Sequence, residues 1–350
     1  MARLYRRLEV APAGTIAPMS NAAGLTLITG ATGFIGGALA AELAASGQRV
    51  RALVRTPSQA EQLRISGVEV VEGDLTLPET LAPVLTGCSA VVHAAAAVSE
   101  RMPRAELWHA NVDGTRHLAQ AALQAGVNLF VHVSSCAVYG SLQFLGIDEQ
   151  TPMRMGASDY HDSKVASEEV LWAMADGAGL PLVVARPSQV YGPGSVNFTL
   201  RPIRALKAGR LFLIDGGRHY CKPVFIDDVS RGLRRCLEQP AAVGQAFNLT
   251  NDSPLPWRLF FGHYARMAGI DRLPSLPYPI AWLAALGLEL GGLINRRPTS
   301  LTRRLVASMR STNSFSNQKA RHLLGWRPAF SLEAGMRATE AWLRREGYLP

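Results

Sequence analysis

The stretch Leu25-Thr-Leu-Ile-Thr-Gly30-Ala-Thr-Gly33-Phe-Ile-Gly36 decides how this chain is read. Leu25–Thr29 is a short apolar run of strand type, and the alanine-rich Phe34–Ser46 has the length and spacing of a helix. Gly30, Gly33 and Gly36 fall at the junction. A strand that turns tightly into a helix presents unpaired backbone N–H groups at the helix N-terminus, and glycine lets a phosphate approach that backbone closely. The pattern predicts a cradle for a dinucleotide pyrophosphate, formed by Gly30, Thr32, Gly33, Phe34, Ile35 and Gly36. The competing reading keeps the glycines for turn and packing only. Their place between an apolar strand and a helix, at the opening of the fold, favours the cradle.

Outward from this point the alternation continues. Arg49–Val54, Val68–Glu72, Ala90–Ala94, Leu129–Ser134 and Pro181–Ala185 read as strands, with helical patterns at Ser58–Ser66 and Asn111–Ala125. Strands separated by helices imply a parallel sheet covered on both faces, a doubly wound α/β fold of Rossmann type. Beyond about residue 190, helical segments and loops dominate, with short strand candidates at Leu211–Ile214, Val224–Ile226 and Ala246–Leu249. The expected organisation is a flexible extension over 1–23 and a dinucleotide-binding domain over 24–190 with returning segments near 222–250. A smaller α+β substrate lobe over 191–350 is interwoven with it.

The 350 residues suffice for a sizeable core, and a hydrophobic content of 48% argues against disorder over most of the length. The net charge of +9 comes almost wholly from arginine, since the only lysines are Lys164, Lys207, Lys222 and Lys319. The arginines are scattered and no basic run is interleaved with aromatics, so nucleic acid is not expected as a partner. The four cysteines, Cys88, Cys136, Cys221 and Cys236, show no metal or redox spacing, and no metal is expected; a reducing cytoplasm fits them. Arg3, Arg6 and Arg7 are not followed by an apolar core, which disfavours a secretory signal, and Met19 is an alternative start. Pro279–Ile294 is the most apolar stretch. It is short for a membrane span of about 20 residues and contains Glu289, so a buried or surface-lying helix is expected.

The second strand ends Val50-Arg-Ala-Leu-Val-Arg55, with no Asp or Glu for ribose hydroxyls. Arg55 is placed to bind a 2′-phosphate through charge-assisted bonds, which points to NADP(H) over NAD(H), although a plain surface arginine is the simpler reading. Tyr160-His-Asp-Ser-Lys164 has YxxxK spacing, which puts both residues on one helix face. A lysine ammonium beside a phenol favours the phenolate and lets tyrosine exchange a proton. A lone YxxxK is weak evidence.

Together these segments resemble the extended branch of the short-chain dehydrogenase/reductase superfamily, nearest in look to members like 3β-hydroxysteroid dehydrogenase and dihydroflavonol reductase. The glycine spacing is GxxGxxG, as TGATGFIGG. Ser134-Ser135-Cys-Ala-Val-Tyr139-Gly140 is similar to the family's SSxAVYG element, and Asn111-Val-Asp-Gly-Thr115 to its NVxGT element. Ala185–Pro193, Val224–Val229, Phe315–Ala320 and Leu324–Pro328 match later landmarks, so the resemblance covers about residues 24–345. It implies a catalytic set of Ser135, Tyr160, Lys164 and Asn111. Ser134 is the weaker candidate, and Asn111 could equally be a helix-shaping residue. Tyr160 and Lys164 would also touch the cofactor. So would Asp74 and Leu75 near the adenine, unless Asp74 is a turn residue, and Ala94, Ala95 and Pro187. His93 reads as structural. Tyr139, Gln189 and Phe198 are guesses for the substrate wall, with loops near 96–104, 141–155 and 191–222 around it. His161 and Asp162 depart from the family's usual small or uncharged residues.

The resemblance implies a ketone–alcohol oxidoreductase acting on a small, largely apolar substrate. The alternative is a nucleotide-sugar epimerase or dehydratase that retains NAD(H). Such enzymes commonly carry an arginine at the position of Cys221, which Arg218 could replace. A non-catalytic dinucleotide sensor is a third reading, disfavoured by the presence of both Tyr160 and Lys164. Segment 276–294 suits an apolar substrate or the surface of a membrane, against a plain core helix, and a homodimer is the family's usual state.

Overall fold

The computed structural model describes residues 24–98, 102–294 and 301–350. The expected extension over 1–23 lies outside them, as does part of the 96–104 loop. Strands β1 (Leu25–Thr29), β2 (Arg49–Val54), β3 (Glu69–Glu72), β4 (Cys88–His93), β5 (Leu129–Val133) and β6 (Leu182–Pro187) alternate with helices. These are α1 (Phe34–Ala45), α2 (Glu61–Ile65), α3 (Leu81–Leu85), α4 (Arg104–Trp108), α5 (Gly114–Gln124) and α6 (Asp159–Ala178). There follow β7 (Gln189–Tyr191), α7 (Arg201–Lys207), β8 (Leu213–Ile214), β9 (Tyr220–Cys221), β10 (Pro223–Phe225), α8 (Ile226–Glu238) and β11 (Gln245–Leu249). The chain ends through β12 (Leu255–Pro256), α9 (Trp257–Met267), β13 (Ser275–Leu276), α10 (Tyr278–Ile294), α11 (Arg303–Ser308), α12 (Gln318–Leu324) and α13 (Leu332–Arg345).

Seven strands form one sheet in the order β11-β6-β5-β4-β1-β2-β3, every pair parallel. Strand order reverses at β1, so the crevice at its carboxyl end is where such sheets bind ligands. Period-two alternation explains the two cores. Ile28, Val131 and Val183 face α1 and α8, whereas Leu27, Phe130 and Leu182 face α3, α5 and α6. In α1 the buried residues Gly36, Leu39, Ala40 and Leu43 recur at helical spacing, forming the stripe that seats the helix on the sheet.

Two expectations shift. Ser58–Ser66 is not one helix: a 3₁₀ turn at Pro57–Ala60 precedes α2, since proline at the first position tightens the start. The segment expected as a helix over 111–125 begins earlier, at Arg104. It passes through a π-helical turn at His109–Asp113 before α5. The lobe beyond residue 190 is held to the sheet domain by the later sequence landmarks. Asp228 in α8 accepts hydrogen bonds from the amides of Ala329 (2.7 Å) and Phe330 (3.3 Å), and its carbonyl accepts Trp326 Nε1 (2.9 Å).

Candidate active site

The turn from β1 into α1 is as tight as the glycines require. Gly30 has φ +71°, and a Cβ there would stand 2.7 Å from Ala95 N; one at Gly36 would stand 2.4 Å from Gly30 O. Thr32 and Gly33 are exposed on the turn. Gly33 caps α1 without a side-chain hydrogen bond and the first turn has no acidic residue, leaving the helix N-terminus available to an anion. This arrangement fits a dinucleotide pyrophosphate. Phe34 and Ile35 are half-buried beside it, and Gly194 from the loop after β7 comes near the Phe34 ring. Ala94 and Ala95 follow β4 directly and are fastened to β1: Ala94 N–H donates to Thr29 O and Ala95 N–H to Thr29 Oγ1, both at 3.2 Å. His93 is buried between the hydroxyls of Thr29 (2.7 Å) and Thr115 (2.8 Å), and desolvation pushes its pKa down to about 3. It is a neutral structural ring.

Arg55 is exposed at the end of β2. Asp74 is bound to its own turn, accepting from Thr76 N and Thr76 Oγ1 at 2.8 Å each. Partial desolvation, which raises its pKa, is outweighed by these bonds and by the Arg55 charge, so the carboxyl stays below its usual value. Asp74 is thus a turn residue on which the Arg55 charge acts. Leu75 packs against α5, with its carbonyl bonded to His117.

The second half of the site hangs on the end of β5. Lys164 is buried in α6, and its Nζ donates to Val133 O, the last residue of β5, at 2.8 Å. Ser134 and Ser135 come next. The Ser134 hydroxyl points inward to Glu168, whereas Ser135 is half-buried and caps the 3₁₀ turn Cys136–Tyr139 by accepting from Ala137 N at 3.1 Å. One serine serves the interior, and the other is half-buried and caps the turn that follows β5. Tyr160 lies one turn before Lys164 on α6. Its carbonyl accepts from Ser163 Oγ, which in turn accepts from Asn111 Nδ2 at 3.0 Å. Asn111 also spans the Ala97 N–H (2.7 Å) and carbonyl (3.0 Å). Its side chain thus ties the π-helical turn to the loop after β4 and to α6, a positioning role, and its contacts do not include the Tyr160 hydroxyl or Lys164 Nζ.

Burial pushes the Tyr160 phenol up to about 12, and the Lys164 ammonium donates to Val133 O. Desolvation lowers Lys164 itself to about 8, against the opposing charge of Glu168. Of His161 and Asp162, the departures from the usual pattern, His161 stands edge-on to the Tyr160 ring, with centroids 5.9 Å apart. His161 pairs with Ser158, and Asp162 accepts the Gly156 amide at 2.7 Å and fastens the loop before α6.

Of the substrate guesses, Tyr139 is corrected. It is wholly buried, donating to Asn248 Oδ1 (2.7 Å) and accepting from Arg186 (2.9 Å), so it belongs to the interior. Gln189 is half-buried after Pro187, and its Oε1 accepts the Lys222 amide at 2.7 Å. Phe198 is half-buried in a π-helical turn next to the Gly192–Ser195 loop. Sequence reasoning missed Glu168 and Arg186, a buried ion pair in the same network as Ser134 and Tyr139. Glu168 could have been found, since it follows Lys164 at i+4 on the same face of α6.

Residues 26–250 match the NAD dependent epimerase/dehydratase family. The chain belongs to that family. It is 31% identical to 4-hydroxy-2-methyl-3-oxo-4-farnesyl-3,4-dihydroquinoline-1-oxide ketoreductase of Stigmatella aurantiaca, covering 89% of this chain and 95% of the relative. A 2-alkyl-3-oxoalkanoate reductase of Stenotrophomonas maltophilia is 28% identical, with coverage of 90% and 98%. Among solved structures, MoeE5 in complex with UDP-glucuronic acid and NAD superposes with a TM-score of 0.74 at 27% identity, covering 92% of this chain and 100% of that one. The protein is a nicotinamide-dinucleotide-dependent oxidoreductase interconverting a ketone and an alcohol. When bound, the nicotinamide supplies or accepts the hydride.

Proposed function

We propose that the protein is an NADP(H)-dependent reductase of a small, largely apolar 3-oxo compound, with Ser135 and Tyr160 holding the carbonyl oxygen. Tyr160 passes a proton to that oxygen, and Lys164 binds the nicotinamide ribose and lowers the phenol pKa once it turns from Val133 O. The NADP(H) preference rests on Arg55, exposed at the end of β2 where an acidic residue would otherwise meet ribose hydroxyls. The substrate class is supported by the 3-oxo groups in the names of both reductase relatives.

Fluorescence titration with NADPH and NADH tests the cofactor. Arg55→Ala is expected to lower the NADPH/NADH affinity ratio by roughly tenfold or more, the worth of a hydrogen bond to a charged group. An unchanged ratio removes the assignment. Tightly retained NAD(H) released on denaturation would instead favour a nucleotide-sugar epimerase, the chemistry suggested by the sugar nucleotide in MoeE5. Against it, Cys221 stands where a diphosphate-binding arginine is common, buried and bonded to Leu255 O.

The same reading extends to the surroundings. Ile280, Leu283, Leu288 and Leu290 on α10 are all at least half exposed, which supports contact with a membrane surface or an apolar carrier. Among the described residues no helix is long and apolar enough to cross a membrane. Four unpaired, buried cysteines suit a cytoplasmic setting. We expect a homodimer through α5 and α6; sedimentation as a monomer at micromolar concentration would contradict it.

A further inference from the structure

Lys222 is a buried cation without a counter-ion. Its residue is 5% exposed, and none of the ion pairs among the described residues includes it. Taking an ammonium out of water costs far more than one neutral hydrogen bond returns, so such a charge persists only where something anionic meets it. The other buried cations obey this rule: Arg186 is paired with Glu168, and Lys164 feels the same carboxylate. Among the described residues, the titratable groups that act on Lys222 are the thiols of Cys221 and Cys136, and its other contacts, the Ser311 hydroxyl and the Phe315 ring, are neutral. Burial pushes Cys221 up to about 12 and Cys136 higher still, so both are neutral. Lys222 itself is lowered to about 8 by desolvation and keeps most of its charge at neutral pH.

Its location is specific. The Lys222 carbonyl accepts from Ser188 Oγ (2.8 Å) and Gln189 N (3.2 Å), and its amide donates to Gln189 Oε1 (2.7 Å). Ser188 and Gln189 follow the last residue of β6, at the carboxyl edge of the sheet. The ammonium donates to Ser311 Oγ at 2.6 Å, while that hydroxyl's proton goes to Asn313 Oδ1 at 2.7 Å. It lies 6.0 Å from the Phe315 ring centroid, and Phe315 packs on Tyr139 at 5.7 Å. Its electrostatic neighbour Cys136 directly follows Ser135. Lys222 thus stands where the sheet edge, the Ser135 turn and the 311–315 segment of the lobe converge.

We infer that Lys222 binds a carboxylate carried beside the reducible ketone, so that the substrate is a 3-oxo acid. This deepens the reductase reading and rests on it. In the reaction the ketone carbon gains a hydride, its oxygen gains a proton from Tyr160, and the carboxylate is unchanged.

The test compares 3-oxodecanoate with its methyl ester in NADPH-oxidation assays of the wild type, Lys222→Met and Lys222→Gln. Both variants are expected to raise KM for the acid roughly 10- to 100-fold, as for a lost hydrogen bond between charged groups, while leaving the constants for the ester nearly unchanged. Equal losses on both substrates would mean that Lys222 only pins the 311–315 segment, and would overturn the proposal. Calorimetric titration of the NADPH-loaded protein with decanoate reads the same lysine without turnover. Binding should weaken in both variants, and equal affinity would overturn the inference. If the wild type reduces neither compound, the reductase reading fails, and decanoate binding still decides the role of Lys222.

Discussion

The two halves of the molecule treat buried polarity in opposite ways. At the end of β5, Ser134, Glu168, Arg186, Tyr139 and Asn248 form a closed network in which each buried charge has its partner. Across the crevice, the lobe is built from two-residue strands such as β8, β9, β12 and β13, keeps Lys222 without an ion-pair partner among the described residues, and leaves leucines of α10 exposed. Closed networks hold a geometry; open polarity and exposed apolar surface await something from outside. On the proposed reading, reaction chemistry falls to the first half and choice of substrate to the second.

The comparison can be broken most severely at Tyr160. Tyr160→Phe should lower turnover by orders of magnitude while NADPH still binds, since its effect is on proton transfer alone; retained activity in steady-state assays would remove Tyr160 from the chemistry and end the division of labour. Next comes the closed network. Glu168→Gln leaves Arg186 buried without a counter-charge and should cost about 3–5 kcal/mol of stability, read as a lower denaturant midpoint. A loss below about 1 kcal/mol, the ceiling for a typical exposed pair, would show that this half is no more closed than the lobe. The smallest effect is expected in the lobe's exposed helix. Leu283→Ser and Leu290→Ser should change stability by no more than about 0.5 kcal/mol, as surface substitutions do, yet reduce sedimentation with lipid vesicles. Strong destabilisation would place these side chains in a core.

Much of the first half was legible in the sequence because its signals are local. The strand limits of β1 and β2 and the position of α1 follow from apolar runs beside glycines, and the tight turn at Gly30 was implied by the residue type, whereas its close approach to Ala95 was not. The π-helical turn at Asn111 was not legible, since it depends on side-chain bonds to Ala97 and Ser163 rather than on periodicity. Tyr139 was misplaced for a similar reason. Its partners Arg186 and Asn248 are 47 and 109 residues away, and a tyrosine next to a catalytic motif reads equally as wall or core. Lys222 was passed over as one more basic residue. In a chain with 36 basic residues and four lysines, however, each position that keeps lysine instead of arginine merits separate thought.

The attachment of α6 has a consequence for how such a protein can diversify. Lys164 takes the carbonyl of Val133 and Glu168 takes the hydroxyl of Ser134, so two rungs one helical turn apart clamp the helix to two consecutive residues of the β5 end. A slide by one turn, about 5.4 Å, would break both rungs at once and strand two charges in the interior. The spacing between Ser135 and Tyr160 is therefore locked like the teeth of a gear. Loops and helices of the lobe can be exchanged, lengthened or re-aimed toward a new ketone without retiming that gear.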